Sequence, residues 1–218
     1  MIDNFDAIIF DMDGLLVDSE TVWYDAEDAF IQSFGYEYSE DVREAIIGLR
    51  MDEFIEKLKD HYGLPGSVAE LVADLNERVF SLIATDVKAQ PGAVELIDYV
   101  VSSGIPYAIA SSSPMEVIHA TLDSQRWTEH FTIRCSADDD AKGKPAPDVY
   151  LRTAEILGVR PERCLALEDS PNGARAAVAA GMTCYAVPDP SHSKPEAFAE
   201  ITPHVYPSLH AVLEHLKA

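Results

Sequence analysis

Basic residues are scarce in this chain. Its 218 residues include 16 Lys and Arg against 38 Asp and Glu, which gives a formal net charge of -22 at pH 7. Binding to a nucleic acid or to an acidic membrane needs a cationic face, so both are excluded as partners. An acidic chain that binds a phosphorylated metabolite has to rely on a local metal ion, a lysine and backbone amides.

Cysteines, long apolar runs and a glycine-rich phosphate loop are scarce or absent as well. Three cysteines lie in apolar segments at spacings that match no zinc motif, which predicts reduced core residues: Cys135, Cys164 and Cys184. No apolar run reaches the roughly 20 residues of a membrane helix, and the acidic start lacks the basic region of a signal peptide. The lack of a P-loop excludes nucleotide hydrolysis of that type. We therefore expect a cytoplasmic protein, and one that is a monomer.

The most informative motif is a pair of acids that follows an apolar run. Residues 7–10 are apolar and lead into Asp11, Met12, Asp13 and Gly14. Two carboxylates cannot stay unpaired inside a strand, so they are predicted at its exposed carboxyl end, where the chain turns. Alternate strand positions bring Asp11 and Asp13 towards one site, where a bound Mg²⁺ would relieve their repulsion and attract a phosphate group. An ordinary surface turn is the alternative interpretation.

Two later apolar runs also end in polar groups. One ends at Ser111 and Ser112, whose hydroxyl and amide suit a phosphate oxygen, although the segment also suits a helix start. The other ends at Glu168 and Asp169. Asp169 completes a carboxylate set for the metal ion, with Glu168 either as a second ligand or as a partner behind the ligands. Capping of the next helix is the alternative for this pair.

A lysine lies between these two runs in the sequence. Lys144 precedes a proline that opens the next predicted helix. At such a junction a lysine supplies a compact positive charge for a phosphate and for a nucleophilic carboxylate. A solvated loop lysine is the alternative, and Lys142 is a competing candidate.

In this order the four segments resemble the four motifs of the haloacid dehalogenase superfamily, and the resemblance covers the whole chain. Within the superfamily, residues 11–20, 48–50, 144–148 and 167–173 resemble the branch that holds the β-phosphoglucomutases and the hexose- or hexitol-phosphate phosphatases. A dehalogenase of the same superfamily would need neither the second acid nor a metal ion. The resemblance therefore implies a phosphoric monoester hydrolase or a phosphomutase.

The resemblance also implies a role for each motif residue. Asp11 attacks phosphorus and becomes an aspartyl phosphate, while Asp13 protonates the leaving alcohol and then takes a proton from water. Lys144 is expected to be catalytic and, with Ser111 and Ser112, to bind the phosphate. The expected cofactor is Mg²⁺, and its expected ligands are Asp11, Asp13 through its carbonyl, Asp169 and Glu168.

Strand and helix patterns alternate along most of the chain. Strand-like runs lie near residues 6–11, 106–111, 131–135, 163–168 and 182–187, with helical patterns near 92–103, 114–126, 146–157 and 171–180. This alternation predicts an α/β fold, a doubly wound parallel sheet of the Rossmann-like type. Residues from about 19 to 88 are helical in period throughout, which predicts an inserted all-helical cap. The expected domains are a catalytic core, 1–17 and 89–218, and a cap, 18–88, which the resemblance implies closes over the substrate.

Three residues of the predicted cap are candidates for contact with the substrate: Glu20, Trp23 and Arg50. Arg50 either binds remote oxygens of the substrate or is solvated. Trp23 stands where the β-phosphoglucomutases have a histidine that couples acid chemistry to sugar binding. Tryptophan cannot act as that polar relay, but it can stack on a sugar face or fill the core.

The position of Trp23 favours a phosphatase over a mutase. We therefore predict an Mg²⁺-dependent phosphatase of small sugar or polyol phosphates. A β-phosphoglucomutase-type mutase that uses the same intermediate is the first alternative, and a non-catalytic phosphoester-binding protein is the second.

Overall fold

The computed structural model describes residues 2–46, 49–190 and 193–218. The side chains at positions 20, 44–45 and 84–86 lie outside this description. Gly48, which the predicted cap motif includes, therefore lies outside the described residues, as does the side chain of Glu20.

A parallel sheet forms the centre of the described chain. Its strands are β1 (Ala7–Phe10), β4 (Tyr107–Ser111), β5 (Arg134–Ser136), β6 (Cys164–Glu168) and β7 (Thr183–Ala186), and their order is β5-β4-β1-β6-β7. All four neighbouring pairs are parallel. The predicted α/β fold is confirmed. One difference is that β5 begins three residues later than predicted, because Phe131 is buried against the rings of Phe10 and Tyr107 without joining a strand.

Helices cover both faces of this sheet: α5 (Ala93–Ser103), α6 (Met115–Gln125), α7 (Asp148–Leu157), α8 (Pro171–Ala179) and α9 (Leu209–Lys217). The side chains of β1 alternate between the faces, as the period of a strand requires. Ile8 and Phe10 lie in a core with residues of α5, α6 and α9, whereas Ala7 and Ile9 pack with residues of α7 and α8. The three cysteines are free and buried, as predicted.

Within the described residues, four helices are inserted between β1 and the rest of the core: α1 (Glu20–Ser33), α2 (Glu40–Ile46), α3 (Met51–Tyr62) and α4 (Val68–Asp86). Their apolar positions are buried at the predicted helical spacing, for example Phe30, Ile55 and Leu75. Helix α4 also packs against α6 of the core. No helix in the described residues is long and apolar enough to cross a membrane.

The insertion begins and ends at a pair of short strands. Strand β2 (Val17–Asp18) pairs antiparallel with β3 (Lys88–Ala89), so the two connections run side by side. This pair was not predicted, since two residues are too few to show a strand pattern. The predicted boundaries of the cap, residues 18 and 88, fall on these strands. The movement of the cap relative to the catalytic core stays a prediction.

Candidate active site

The central strands end at the same level of the sheet. Phe10 pairs with Ile109 on one side and with Leu167 on the other. The next residue, Asp11, donates its backbone N–H to the carbonyl of Leu167 over 3.0 Å. Because ligands of parallel sheets bind where the strand order reverses, the edge around β1 is the expected place for a site. All four predicted motifs lie at this edge.

Lys144 is the link between the motifs. Its side chain is 2% exposed, and its Nζ donates to Asp11 Oδ1 over 2.6 Å, to Glu168 Oε1 over 2.7 Å and to the carbonyl of Ala110 over 3.0 Å. The competing candidate, Lys142, is exposed. The structure therefore brings Lys144 to the acids and leaves Lys142 in solvent.

Glu168 lies behind the site as a buried anchor. It is fully buried, and besides Lys144 it accepts hydrogen bonds from Tyr150 Oη over 2.6 Å and from Ser170 Oγ over 3.3 Å. A Cβ at Gly173 would lie 1.9 Å from Glu168 Oε1, so only glycine leaves room for this carboxylate. These contacts favour the second alternative for Glu168, a partner that positions Lys144. Sequence reasoning missed Tyr150, since an aromatic residue near a helix start reads as core.

Electrostatics couple Asp11 to Lys144. Burial raises the pKa of Asp11 well above its ordinary value and neighbouring carboxylates add to the rise, while Lys144 opposes it. Burial alone would lower the pKa of Lys144, but Asp11 and Glu168 outweigh burial and raise it. Lys144 therefore stays charged, and full ionisation of Asp11, Glu168 and Asp169 would leave an excess of negative charge beside it.

This excess of negative charge fits a divalent cation. Oxygen atoms of Asp11, Glu168 and Asp169 lie within 4.8 Å of one another. Asp11 and Asp169 face the cavity described below, whereas Glu168 does not line it. Hard carboxylate oxygens are the ligands that Mg²⁺ prefers. Asp11 and Asp169 therefore fit the predicted metal ion, with Glu168 behind them.

Asp13 is held by four donors from two parts of the chain. Its Oδ2 accepts from Ser113 Oγ over 2.7 Å and from Ser111 Oγ over 3.3 Å, both in the core. Its Oδ1 accepts from Ser19 Oγ over 2.8 Å and from Trp23 Nε1 over 3.3 Å. Trp23 therefore has a polar contact that neither of its two predicted roles included. The contact links the first helix of the insertion to the predicted acid.

A cavity opens above these residues, between the sheet edge and the inserted helices. Its volume is about 90 Å³, enough for several water-sized groups. The core side consists of Asp11, Asp13, Ser111, Ser112, Ser113, Pro114, Lys144, Asp169 and Ser170. The side formed by the insertion consists of Trp23, Glu27, Arg43, Leu49, Met51 and Phe54. Both predicted phosphate-binding serines and Trp23 thus face one space with the predicted nucleophile.

Sequence reasoning missed the two charged residues in the wall of this cavity. Glu27 on α1 and Arg43 on α2 are 6% and 9% exposed, with Arg43 Nε 3.5 Å from Glu27 Oε2. The same oxygen of Glu27 accepts a hydrogen bond from Tyr38 Oη over 2.8 Å. In the sequence both residues look like solvated positions of amphipathic helices, so no signal marked them.

Arg50 lies beside the cavity at the boundary between insertion and core. Its guanidinium donates to both carboxylate oxygens of Asp52 over 2.6 and 2.7 Å, and to the carbonyl of Asp140 over 2.8 Å. It is not among the residues that line the described cavity. Its predicted contact with the substrate stays a prediction, as does any contact of Glu20, whose side chain is outside the described part.

A parallel sheet with an acidic site at its strand ends and a helical insertion after the first strand defines the class, an α/β enzyme with an inserted cap-like segment. Residues 8–187 match the haloacid dehalogenase-like hydrolases, and the chain belongs to this family.

Curated relatives carry phosphatase names. A Drosophila melanogaster protein named "Probable pseudouridine-5'-phosphatase" is 32% identical, over 85% of this chain and 83% of its own. Hexitol phosphatase B of Escherichia coli is 36% identical, over 84% of each chain. Among solved structures, CbbY from Rhodobacter sphaeroides in complex with phosphate superposes with a TM-score of 0.87 at 27% identity, covering 98% of this chain and 100% of that chain. The predicted family and enzyme class are confirmed.

Proposed function

We propose that the protein is an Mg²⁺-dependent phosphatase of small sugar or polyol phosphates that acts through an aspartyl phosphate. The observation that carries the proposal is the shared cavity of Asp11, Asp13 and Asp169, in which Lys144 holds Asp11 over 2.6 Å. The phosphatase names of the curated relatives support the reaction class. Their substrates, a nucleoside phosphate and hexitol phosphates by name, support a small hydroxylated substrate.

In this proposal Asp11 is the nucleophile. Its Oδ1 is fixed by Lys144 and its backbone by the carbonyl of Leu167, so the second carboxylate oxygen is the one available for attack on phosphorus. Lys144, Ser111 and Ser112 neutralise and hold the phosphate oxygens. Asp11 and Asp169 would hold the Mg²⁺, which would supply charge stabilisation of the transferring group when bound.

Asp13 is the acid and base of the proposal. It gives its proton to the leaving alcohol and takes one from the water that hydrolyses the aspartyl phosphate. Its four donors come from both the core and the insertion, so its position depends on how the inserted helices sit. This dependence supports residues 18–88 as a cap whose closure completes the site and excludes water.

Trp23 supports a phosphatase over a mutase. Its indole N–H donates to Asp13 but cannot take up a proton, so it orients the acid without relaying a proton. A mutase must protect its aspartyl phosphate from water until the intermediate has turned round, and it needs tighter coupling between acid chemistry and substrate.

A phosphate-release screen over sugar and polyol phosphates, with Mg²⁺ and with EDTA, tests the proposal. We expect release from hexose or hexitol phosphates only with Mg²⁺, and no efficient interconversion of β-glucose 1-phosphate and glucose 6-phosphate. Fast interconversion with slow release would assign the mutase instead. No turnover of any phosphate ester would leave a binding protein.

A further inference from the structure

The buried ion pair in the cavity wall carries an inference about the substrate. Glu27 and Arg43 belong to different helices, yet both lie in the wall that faces Asp11 and Asp13. Among the residues that line the described cavity, Arg43 and Lys144 are the cationic ones, and Lys144 is engaged at the floor with Asp11 and Glu168. The part of a substrate that extends away from the phosphate therefore meets Glu27 and Arg43.

The pair is held firmly in place. Tyr38 Oη donates to Glu27, and burial followed by the charge of Glu27 raises the pKa of Tyr38, which keeps the phenol a neutral donor. The guanidinium of Arg43 lies over the ring of Tyr24, 5.3 Å from its centre. Because the side chains of Arg43 and Glu27 are only 11% and 7% exposed, salt and water screen their charges little. Such a pair acts as a fixed carboxylate acceptor beside a fixed guanidinium donor.

We infer that Glu27 and Arg43 select monophosphates with a neutral, hydroxylated tail and reject substrates whose tail carries a second anion. This inference rests on the proposed phosphatase function. A hydroxyl group can donate to Glu27 and accept from Arg43 at once, so a polyol tail satisfies both. A second phosphate or a carboxylate gains from Arg43 but is repelled by Glu27 at similar range, so nothing offsets the cost of taking this anion out of water. The chemistry favours hexitol phosphates over sugar bisphosphates and phosphoglycolate.

Two substitutions of opposite sign test the inference. Glu27→Gln keeps the shape but removes the repelling charge, whereas Arg43→Gln removes the attracting one. Asp25→Asn is the matched control, since Asp25 is an exposed acid on the same helix. For each protein, kcat/KM is measured with sorbitol 6-phosphate and with fructose 1,6-bisphosphate. The ratio of the two values within one variant cancels general losses of catalysis.

We expect the wild-type protein to prefer sorbitol 6-phosphate. Glu27→Gln should raise the ratio of kcat/KM for the bisphosphate to kcat/KM for sorbitol 6-phosphate on the order of tenfold. Arg43→Gln should lower this ratio by a similar factor, as expected for one charge at a partly desolvated site. Asp25→Asn should leave the ratio within about twofold. If the pair is purely structural, each substitution should lower kcat/KM for both substrates by the same factor and leave the ratio unchanged. That result would overturn the inference.

The outcomes separate this inference from the proposed function. If the wild-type protein releases phosphate from p-nitrophenyl phosphate and sorbitol 6-phosphate but neither substitution changes the ratio of kcat/KM, only the specificity inference fails. If it releases none from any ester, the proposed function fails and the inference fails with it. Thermal unfolding checks that each variant folds. Should Glu27→Gln not fold, Arg43→Gln decides alone, because its predicted shift has a definite sign.

Discussion

Replacing Lys144 with methionine tests the electrostatic centre of the site. Methionine keeps much of the volume but removes the charge and all three hydrogen bonds, to Asp11, Glu168 and the carbonyl of Ala110. The two carboxylates then remain buried without their cation. Removing one partner from a buried ion pair costs about 3–5 kcal/mol, so the free energy of unfolding should fall by about this amount.

The assay is urea denaturation in EDTA, because a divalent cation on the same acids would offset the loss. The matched control is the double variant Lys144→Met/Glu168→Gln. The neutral amide at position 168 can still accept a hydrogen bond from Tyr150. The double variant should therefore recover part of the lost free energy of unfolding, while the phosphatase activity stays absent. A loss below about 1 kcal/mol in the single variant, or no recovery in the double variant, would refute the assigned network.

Three further predictions concern single residues. Asp11→Asn should abolish turnover without lowering the melting temperature. It relieves repulsion among the clustered carboxylates, and Lys144 keeps its ion pair with Glu168. Residual activity in pure protein would exclude Asp11 as the nucleophile. Trp23→Phe should lower kcat/KM about fivefold, because it keeps an aromatic ring but removes one hydrogen bond to Asp13 worth about 1 kcal/mol. Unchanged kinetics would show that Trp23 serves only in packing. Although Asp138 is exposed, partial desolvation and then the charge of Asp52 raise its pKa to about 6, so its ionisation weakens the fold slightly as pH rises. Asp138→Asn should therefore raise the melting temperature at pH 8 but not at pH 4, and an equal gain at both would contradict this sign.

The sheet was predictable because its central strands β1, β4 and β6 are short, mostly apolar runs that are buried on both faces. Polar residues at the ends of β1, β4 and β6 then marked the edge where the site lies, since a buried strand does not accept unpaired carboxylates. The antiparallel pair of β2 and β3 could not be predicted, because two residues carry no period. It depends on the inserted helices returning the chain to its starting point.

The core side of the site was predictable for the same reason, but the wall formed by the insertion was not. Lys144 and the acids lie in motifs at strand ends, and local sequence identifies them. Glu27, Arg43 and Tyr38 meet across three segments of the insertion, and each looks like an ordinary polar position of a surface helix or loop. Only packing buries them together. Arg50 shows the converse case. A motif marked it, but the structure engages it with its sequence neighbour Asp52 and with the carbonyl of Asp140 in the core.

The balance of charge around the cavity gives a physical reason why the proposed phosphatase would need a metal ion. Among the described lining residues, four carboxylates face two cations, and both cations contact carboxylates already. A phosphate dianion that enters such a cavity meets no net positive charge from the side chains, and the protein as a whole carries a formal net charge of -22. Serine hydroxyls and backbone amides orient the anion but do not neutralise it. In the proposed mechanism the favourable charge would come from Mg²⁺ held by Asp11 and Asp169, so removal of the metal should weaken binding of phosphate as well as its transfer.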